Sequence, residues 1–308
     1  MKVELYSHHF AYDLMHTPNY KKMFEEIISI CKDCPTPYYP NKSTKQRGKD
    51  VVQPLMNTYI EECLLSMGWA SQPKASKEED DDRLKADFSK NFPDLLYKDK
   101  VKSAENGVRA IIEVEFGNNA SYYRDLYKFQ LAFSKNTADI CFLIVPKRKL
   151  AERMDSGVIN FEKPCRELKD ARMNVPIPIL VIGLDVDENN IWNLKELIGE
   201  NLDYVKRNHV ASKVLVQSYI EYKNEKIQSP YYVNDIFIEV CESLKKNEKE
   251  LKKLHKELEK NIEGFDIQLS DEEKVSLELK KQELHRKLSN LELDKEECIK
   301  KLNNHCLK

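Results

Sequence analysis

Three apolar runs constrain this chain more than any other feature. Residues 109–116 (RAIIEVEF), 138–146 (ADICFLIVP) and 176–185 (PIPILVIGLD) have the length and the Ile, Val, Leu and Phe content of strands. The second and third are near-continuous in apolar residues, the pattern of a strand covered on both faces. RAIIEVEF alternates in its second half. Between the first two runs, NNASYYRDLYKFQLAF carries helical spacing at Tyr122, Leu126, Phe129 and Phe133. Strand, helix and strand in that order imply a crossover unit with helices packed on both sides of a sheet. The expected fold class is therefore α/β, a central mixed β-sheet flanked by helices.

Further helices are expected over 18–32, where Met23, Ile27, Ile28 and Cys31 form a stripe that ends near Pro35, over about 51–67, and over 194–206 (LKELIGENLDYVK). From about Phe237 the pattern changes. Leu244, Leu251 and Leu258 recur at heptad spacing with Leu254 between them, and IEGFDIQ interrupts. Ser270 followed by Glu273 reads as a capping box for a second helix bearing Leu277, Leu284, Leu288, Leu291, Cys298 and Leu302. This predicts a C-terminal helical hairpin of coiled-coil type, with polar residues at several core positions. The expected organisation is a domain over 1–232 and a hairpin appendage over 233–308.

The formal net charge is −2, from 50 basic and 52 acidic residues, so overall charge attracts no particular partner. A nucleic-acid binder of this balance needs a local basic surface. Lys42, Lys45, Arg47 and Lys49 make the most basic loop and are candidates for phosphate contacts, with a solvated turn as the alternative. The acidic run at 74–83 (KASKEEDDDR) reads as a solvated loop. No apolar run reaches membrane-spanning length, the N-terminus lacks the pattern of a secretory leader, and the 8 cysteines sit mostly in apolar contexts. These features fit a cytoplasmic protein without a membrane partner.

Chemistry is concentrated at Glu113-Val114-Glu115. Alternation in a strand places both carboxylates on one face. Crowded carboxylates in a partly buried place hold their protons tightly unless a cation neutralises them, and hard oxygen ligands suit Mg²⁺. A polar outer face of an edge strand is the competing reading. Upstream, Lys85-Ala86-Asp87-Phe88 reads as a short strand, and a hairpin joining it to the 109–116 strand would bring Asp87 beside Glu113. Cys31-x-x-Cys34, with His8 and His9, lacks a second pair at zinc spacing and reads as a helix end. No Ser/His/Asp arrangement stands out, and 8 glycines supply no phosphate-cradling loop.

Taken together, the E-x-E strand, the Gly117-Asn118 turn, Arg124 on the following helix, the ADI/FLIVP strand, the Lys149-Leu150-Ala151 helix start and Asn160-Phe161-Glu162 resemble the BamHI/BglII-like type II restriction endonucleases of the PD-(D/E)xK superfamily. The resemblance runs over roughly residues 1–190. It implies a homodimeric, Mg²⁺-dependent enzyme that hydrolyses double-stranded DNA at a short palindromic site, paired with a cognate DNA methyltransferase. It carries Asp87 and Glu113 onto the metal ligands, Glu115 onto the third catalytic position, and Gln72 onto a residue that orients water. It places Asn118, Asn119, Ala120 and Arg124 in the DNA-reading turn and helix. Asp155 and Ser156 fall in a second reading loop that lacks the family's arginine here. The chain between Asp87 and Glu113 is longer than in the family and contains a literal Pro93-Asp94, read as a decoy in an inserted loop. A non-catalytic DNA-binding or coiled-coil protein on the same scaffold, and a repair or junction nuclease, are the alternatives.

Overall fold

The structure, a computed structural model, describes residues 1–43, 46–74, 84–93, 107–170, 175–263 and 271–307. They form two compact units, Met1–Lys195 and Glu196–Lys308. In the first unit one sheet runs in the spatial order Lys2–His8 (β1), Ile179–Asp185 (β7), Ile140–Pro146 (β6), Val108–Val114 (β5), Phe88–Phe92 (β4) and Ala70–Ser71 (β3). The three apolar runs occupy its centre: β5, β6 and β7 are mutually parallel, with Ile112 opposite Phe142 and Phe142 opposite Leu180. The outer strands β1, β4 and β3 pair antiparallel, so the sheet is mixed. Thr36–Tyr38 (β2) and Ile191–Asn193 (β8) make a separate parallel pair.

Both faces are covered, as the strand composition requires. On one, Ile111, Cys141, Leu143, Val145, Ile179 and Val181 share a core with Tyr122, Leu126, Phe129 and Ala132 of the helix Ser121–Ser134. The alternate residues Ile112, Ile140, Phe142, Ile144, Leu180 and Ile182 are also buried. Pro18–Asp33 packs against β1 and β4, and buries Met23, Ile27, Ile30 and Cys31. Gln53–Ser66 packs against that helix and buries Leu55, Met56, Ile60 and Leu64. In chain order the helices of this unit are Ala11–Met15 (α1), Pro18–Asp33 (α2), Gln53–Ser66 (α3), Ser121–Ser134 (α4), Arg148–Arg153 (α5) and Glu162–Asp170 (α6). β1, which pairs along its whole length with β7, was not apparent in the sequence because its polar and apolar residues do not alternate cleanly.

Two expectations are corrected. The segment 194–206 is not one helix but two, Lys195–Ile198 (α7) and Leu202–Arg207 (α8), separated at Gly199, whose φ of +57° closes the first. Phe133 lies off the buried stripe of α4 at 40% exposure, and Asp125 and Lys128 are buried there instead.

In the second unit α8 precedes His209–Lys223 (α9), which Asn208 caps through the Ala211 N–H. Asp235–Glu263 (α10) and Asp271–His305 (α11) are the expected antiparallel pair, joined by a small core of Leu254, Leu284 and Leu291 with Leu251 and Leu288 against it. Asn208 and Tyr204 bond to Glu242 of α10, so α8 and α9 pack with the hairpin, and the unit begins at 196 whereas the change of sequence pattern falls at about 233. Ser270 and the side chains of Leu258, Glu273 and Leu277 lie outside the described residues, as do Lys45, 75–83 and Asp94.

Candidate active site

The site is built where β4 meets β5. Their antiparallel register sets Phe88 opposite Ile112, so Asp87, one residue earlier, falls beside Glu113. Asp87 Oδ2 accepts the Val114 N–H at 2.9 Å, and its own carbonyl accepts the Gln72 N–H at 2.8 Å. Gln72 has a φ of +51°, an uncommon conformation for a residue with a side chain, which turns the chain at the mouth of the site. Glu115 continues the ladder past the end of β5 through a 2.9 Å bond from its N–H to Ile144 O. Glu115 Oε1 accepts the Gly117 N–H at 2.7 Å. A Cβ at Gly117 would stand 2.8 Å from that same oxygen, so a side chain there would push the carboxyl aside.

Glu113 is 2% exposed and Glu115 8%. Burial, then Asp87 and Asp125, pushes the Glu113 carboxyl well above the usual carboxylate range, and Lys128 pulls it back only in part. Burial and then Asp125 raise Glu115, and burial also raises Asp87 against the Val114 N–H. Lys128, from α4, reaches into this cluster with its Nζ 2.7 Å from Glu113 Oε1 and 2.9 Å from Asp125 Oδ1. A third oxygen, the Lys85 carbonyl, lies 3.2 Å away. Burial alone would depress the ammonium, but Glu113 and Asp125 hold it above its ordinary value. Glu113 Oε1 is in ion-pair contact yet receives no hydrogen bond of good geometry.

Of the residues in this cluster Asp87 alone reaches a cleft, which is lined also by Asn57, Glu61, Ser71, Gln72, Phe88 and Val114. Among the described residues no three His, Cys, Asp or Glu side chains stand close enough together to grip a metal ion. By chemistry two carboxylates set side by side, Asp87 and Glu113, still fit a hard divalent cation that completes its shell with water.

The two segments expected to read DNA are held together. Asn118 bridges Val158, the Asn119 N–H bonds to Gly157 O at 2.9 Å, and Ile159 N–H bonds to Gly117 O at 3.4 Å. Asn118, Ala120, Arg124 and Ser156 are exposed. Asn118 Oδ1 accepts the Ala120 N–H at 3.0 Å, and Asn119 Oδ1 accepts from Lys163 at 2.8 Å. Asp155 is committed to Lys42 at 2.9 Å. The Lys42 side chain, 2% exposed and also bonded to Val51 O, pins two loops together. Arg47 is exposed and Lys49 half-buried.

Sequence reading missed Asn57, Glu61, Asp125 and Lys128. Asp125 had a signal, because it stands three residues after Tyr122 on the apolar stripe of α4, where a charge is out of place unless paired. Asn57 and Glu61 are one helical turn apart on α3, a weaker signal of the same kind. Cys31 and Cys34 are buried free thiols, pushed up by burial, and His8 bonds to Val175 O.

A mixed sheet with carboxylates massed at the end of a central parallel strand, above a polar cleft, defines an α/β protein of acid-cluster type. Residues 3–184 match the family model described as restriction endonuclease BglII/BglIII, and the chain belongs to that family. It is 29% identical over 111 residues to the type II restriction enzyme BamHI of Bacillus amyloliquefaciens, a match spanning 35% of this chain and about half, 49%, of that enzyme. The crystal structure of restriction endonuclease BglII complexed with a DNA 16-mer is similar at TM-score 0.47 and 19% identity, covering 61% of this chain and 79% of that one. Free BglII is similar at TM-score 0.40 and 15% identity, over 61% and 81%. Among the described residues no helix is long and apolar enough to cross a membrane.

Proposed function

We propose that this chain is a sequence-specific endonuclease that hydrolyses double-stranded DNA, acting as a cytoplasmic homodimer alongside a cognate methyltransferase. The observation that carries the reading is the adjacency of Asp87 and Glu113 across the β4–β5 register, with Asp87 lining a cleft, in a chain of this family. Asp87 and Glu113 are the residues that would hold Mg²⁺, which when bound supplies Lewis-acid stabilisation of the phosphate charge and acidifies the attacking water. Glu115, raised by burial and Asp125, is suited to accept a proton near neutral pH. Gln72, at the cleft mouth, can orient a water through its amide. Asn118 and Arg124 are exposed and would meet bases and phosphates, because Asn can pair with adenine through two bonds and Arg with phosphate through its fork. We assign the chemistry to residues 1–232 and treat 233–308 as an appendage. A dimer presenting that turn twice reads a palindrome. Plasmid incubated with the chain and Mg²⁺ should give discrete fragments, and sequencing their ends should give one short palindrome. A smear, or uncut plasmid, overturns the reading.

A further inference from the structure

The Lys128 ammonium faces three oxygens: it is in ion-pair contact with Glu113 at 2.7 Å and with Asp125 at 2.9 Å, and it donates a hydrogen bond to the Lys85 carbonyl at 3.2 Å. Its side chain is 5% exposed, and those of Glu113 and Asp125 are 2% and 3%. Asp125 and Lys128 are three apart on α4, so the helix presents them together to the end of β5. A cation buried this deeply is retained only where its partners replace the water it has lost. The same cluster is the one that the proposed function gives to a divalent cation.

We infer that Lys128 is a resident counter-ion, positioned by Asp125, that competes with the divalent cation for Glu113. The inference deepens the nuclease reading and rests on it. A fixed positive charge against Glu113 repels an arriving metal ion, while Asp125 offsets part of that repulsion. Lys128 is thus a positioning residue that holds Glu113 in the metal-free chain and sets how readily the site accepts metal. A lysine that served packing alone would lose metal affinity on replacement, whereas a competing ammonium would release it. The two roles therefore predict opposite signs.

Calorimetric titration of Mn²⁺ alone into the full chain, without DNA, separates them. Lys128→Met keeps the unbranched shape and removes the charge, and should bind Mn²⁺ about tenfold more tightly. Lys128→Arg keeps the charge and should stay near the unsubstituted affinity. Asp125→Asn removes the offsetting anion and should bind several-fold more weakly. If folded Lys128→Met binds Mn²⁺ no more tightly, or if no variant binds it, the inference fails. Should Lys128→Met not fold, Asp125→Asn decides, since it keeps the Lys128–Glu113 pair, and unchanged or tighter binding there is equally fatal. Plasmid cleavage by the unsubstituted chain is scored in parallel. Cleavage without the Mn²⁺ effect removes the inference and leaves the nuclease reading, and the Mn²⁺ effect without cleavage does the reverse.

Discussion

The ion pairs Lys128–Glu113 and Lys287–Glu283 have the same 2.7 Å separation, yet the side chains are 5% and 2% exposed in the first and 51% and 59% in the second. The first closes the acid cluster of the sheet unit, and the second lies on α11 of the helical hairpin. Distance alone makes them equals, and burial makes them opposites. An exposed pair exchanges protein for water at little net gain. A buried pair cannot lose one partner without stranding the other in a medium that does not tolerate it. The near-balance of charge over the whole chain therefore says little, because the charges that matter chemically are those the fold has taken out of water. In the sheet unit charge is concentrated and left short of cations, while in the hairpin it is dispersed and the leucines do the holding.

The comparison is tested most severely at the acids. Asp87→Ala or Glu113→Gln should lower cleavage about 100- to 1000-fold or more, since each removes a proposed ligand. DNA binding in EDTA should persist or tighten, because one negative charge near the phosphate is gone. Asp94→Ala, in the literal Pro-Asp, should cut normally. An inactive Asp94→Ala beside an active Asp87→Ala would reassign the ligand. In the hairpin the large effect should come from an apolar residue: Leu284→Ala, in the core with Leu254 and Leu291, should cost about 2–5 kcal/mol of hairpin stability by thermal circular dichroism. Cleavage should be retained. Loss of cutting in a protein whose sheet unit is still folded would give the hairpin a part in the chemistry.

Next in size is a pH effect peculiar to the sheet unit. Asp87, Glu113 and Glu115 are raised in the folded chain, by burial first and then by neighbouring acids. Protons retained on folding stabilise the chain fully below the unfolded carboxylate range near about 4 and are lost as pH rises through the raised folded values. The metal-free protein should accordingly melt at lower temperature as pH goes from mildly acid to alkaline, and Glu113→Gln should flatten the slope. Asp139 behaves oppositely. Burial works against it, but Arg109 pulls it down, so its contribution is present above the unfolded value and vanishes only in stronger acid, outside that window. A melting temperature in EDTA that climbs steadily with pH would contradict the cluster. The smallest effect is expected at Glu283→Gln, where the exposed pair should be lost with no measurable change in melting temperature or cleavage.

Much of this was legible in the sequence because a strand's demands are local. Ile111, Ile112, Phe142 and Leu180 announce burial by their kind and spacing, and the Glu113–Glu115 alternation announces a shared face. Asp87 could be placed beside Glu113 because one hairpin joins them, and the structure puts them there, although β4 begins at Phe88 and runs on to Phe92 where a loop was expected to begin. What stayed hidden depends on contacts between distant segments. Nothing near Lys42 says that its ammonium meets Asp155, and nothing in β1 says that it closes the sheet against β7. Lys128 was hidden for a different reason: a lysine between two apolar positions is ordinary on an exposed helix, and only the end of β5 beneath it makes it a buried cation.

The β4–β5 register, from Phe88 opposite Ile112 to Phe92 opposite Val108, has a consequence for how such a chain can change over time. The ladder, and not the length of chain between its strands, fixes the spacing of Asp87 and Glu113. Closing a loop costs only about 0.6 kcal/mol for each doubling of its length. Length between Pro93 and Gly107 can therefore change at little cost to the acids, while Gly107 itself is held, since a Cβ there would run into the Phe92 carbonyl oxygen. The connection is a place where lineages can diverge in length and acquire new surface while the chemistry beside it stays in step.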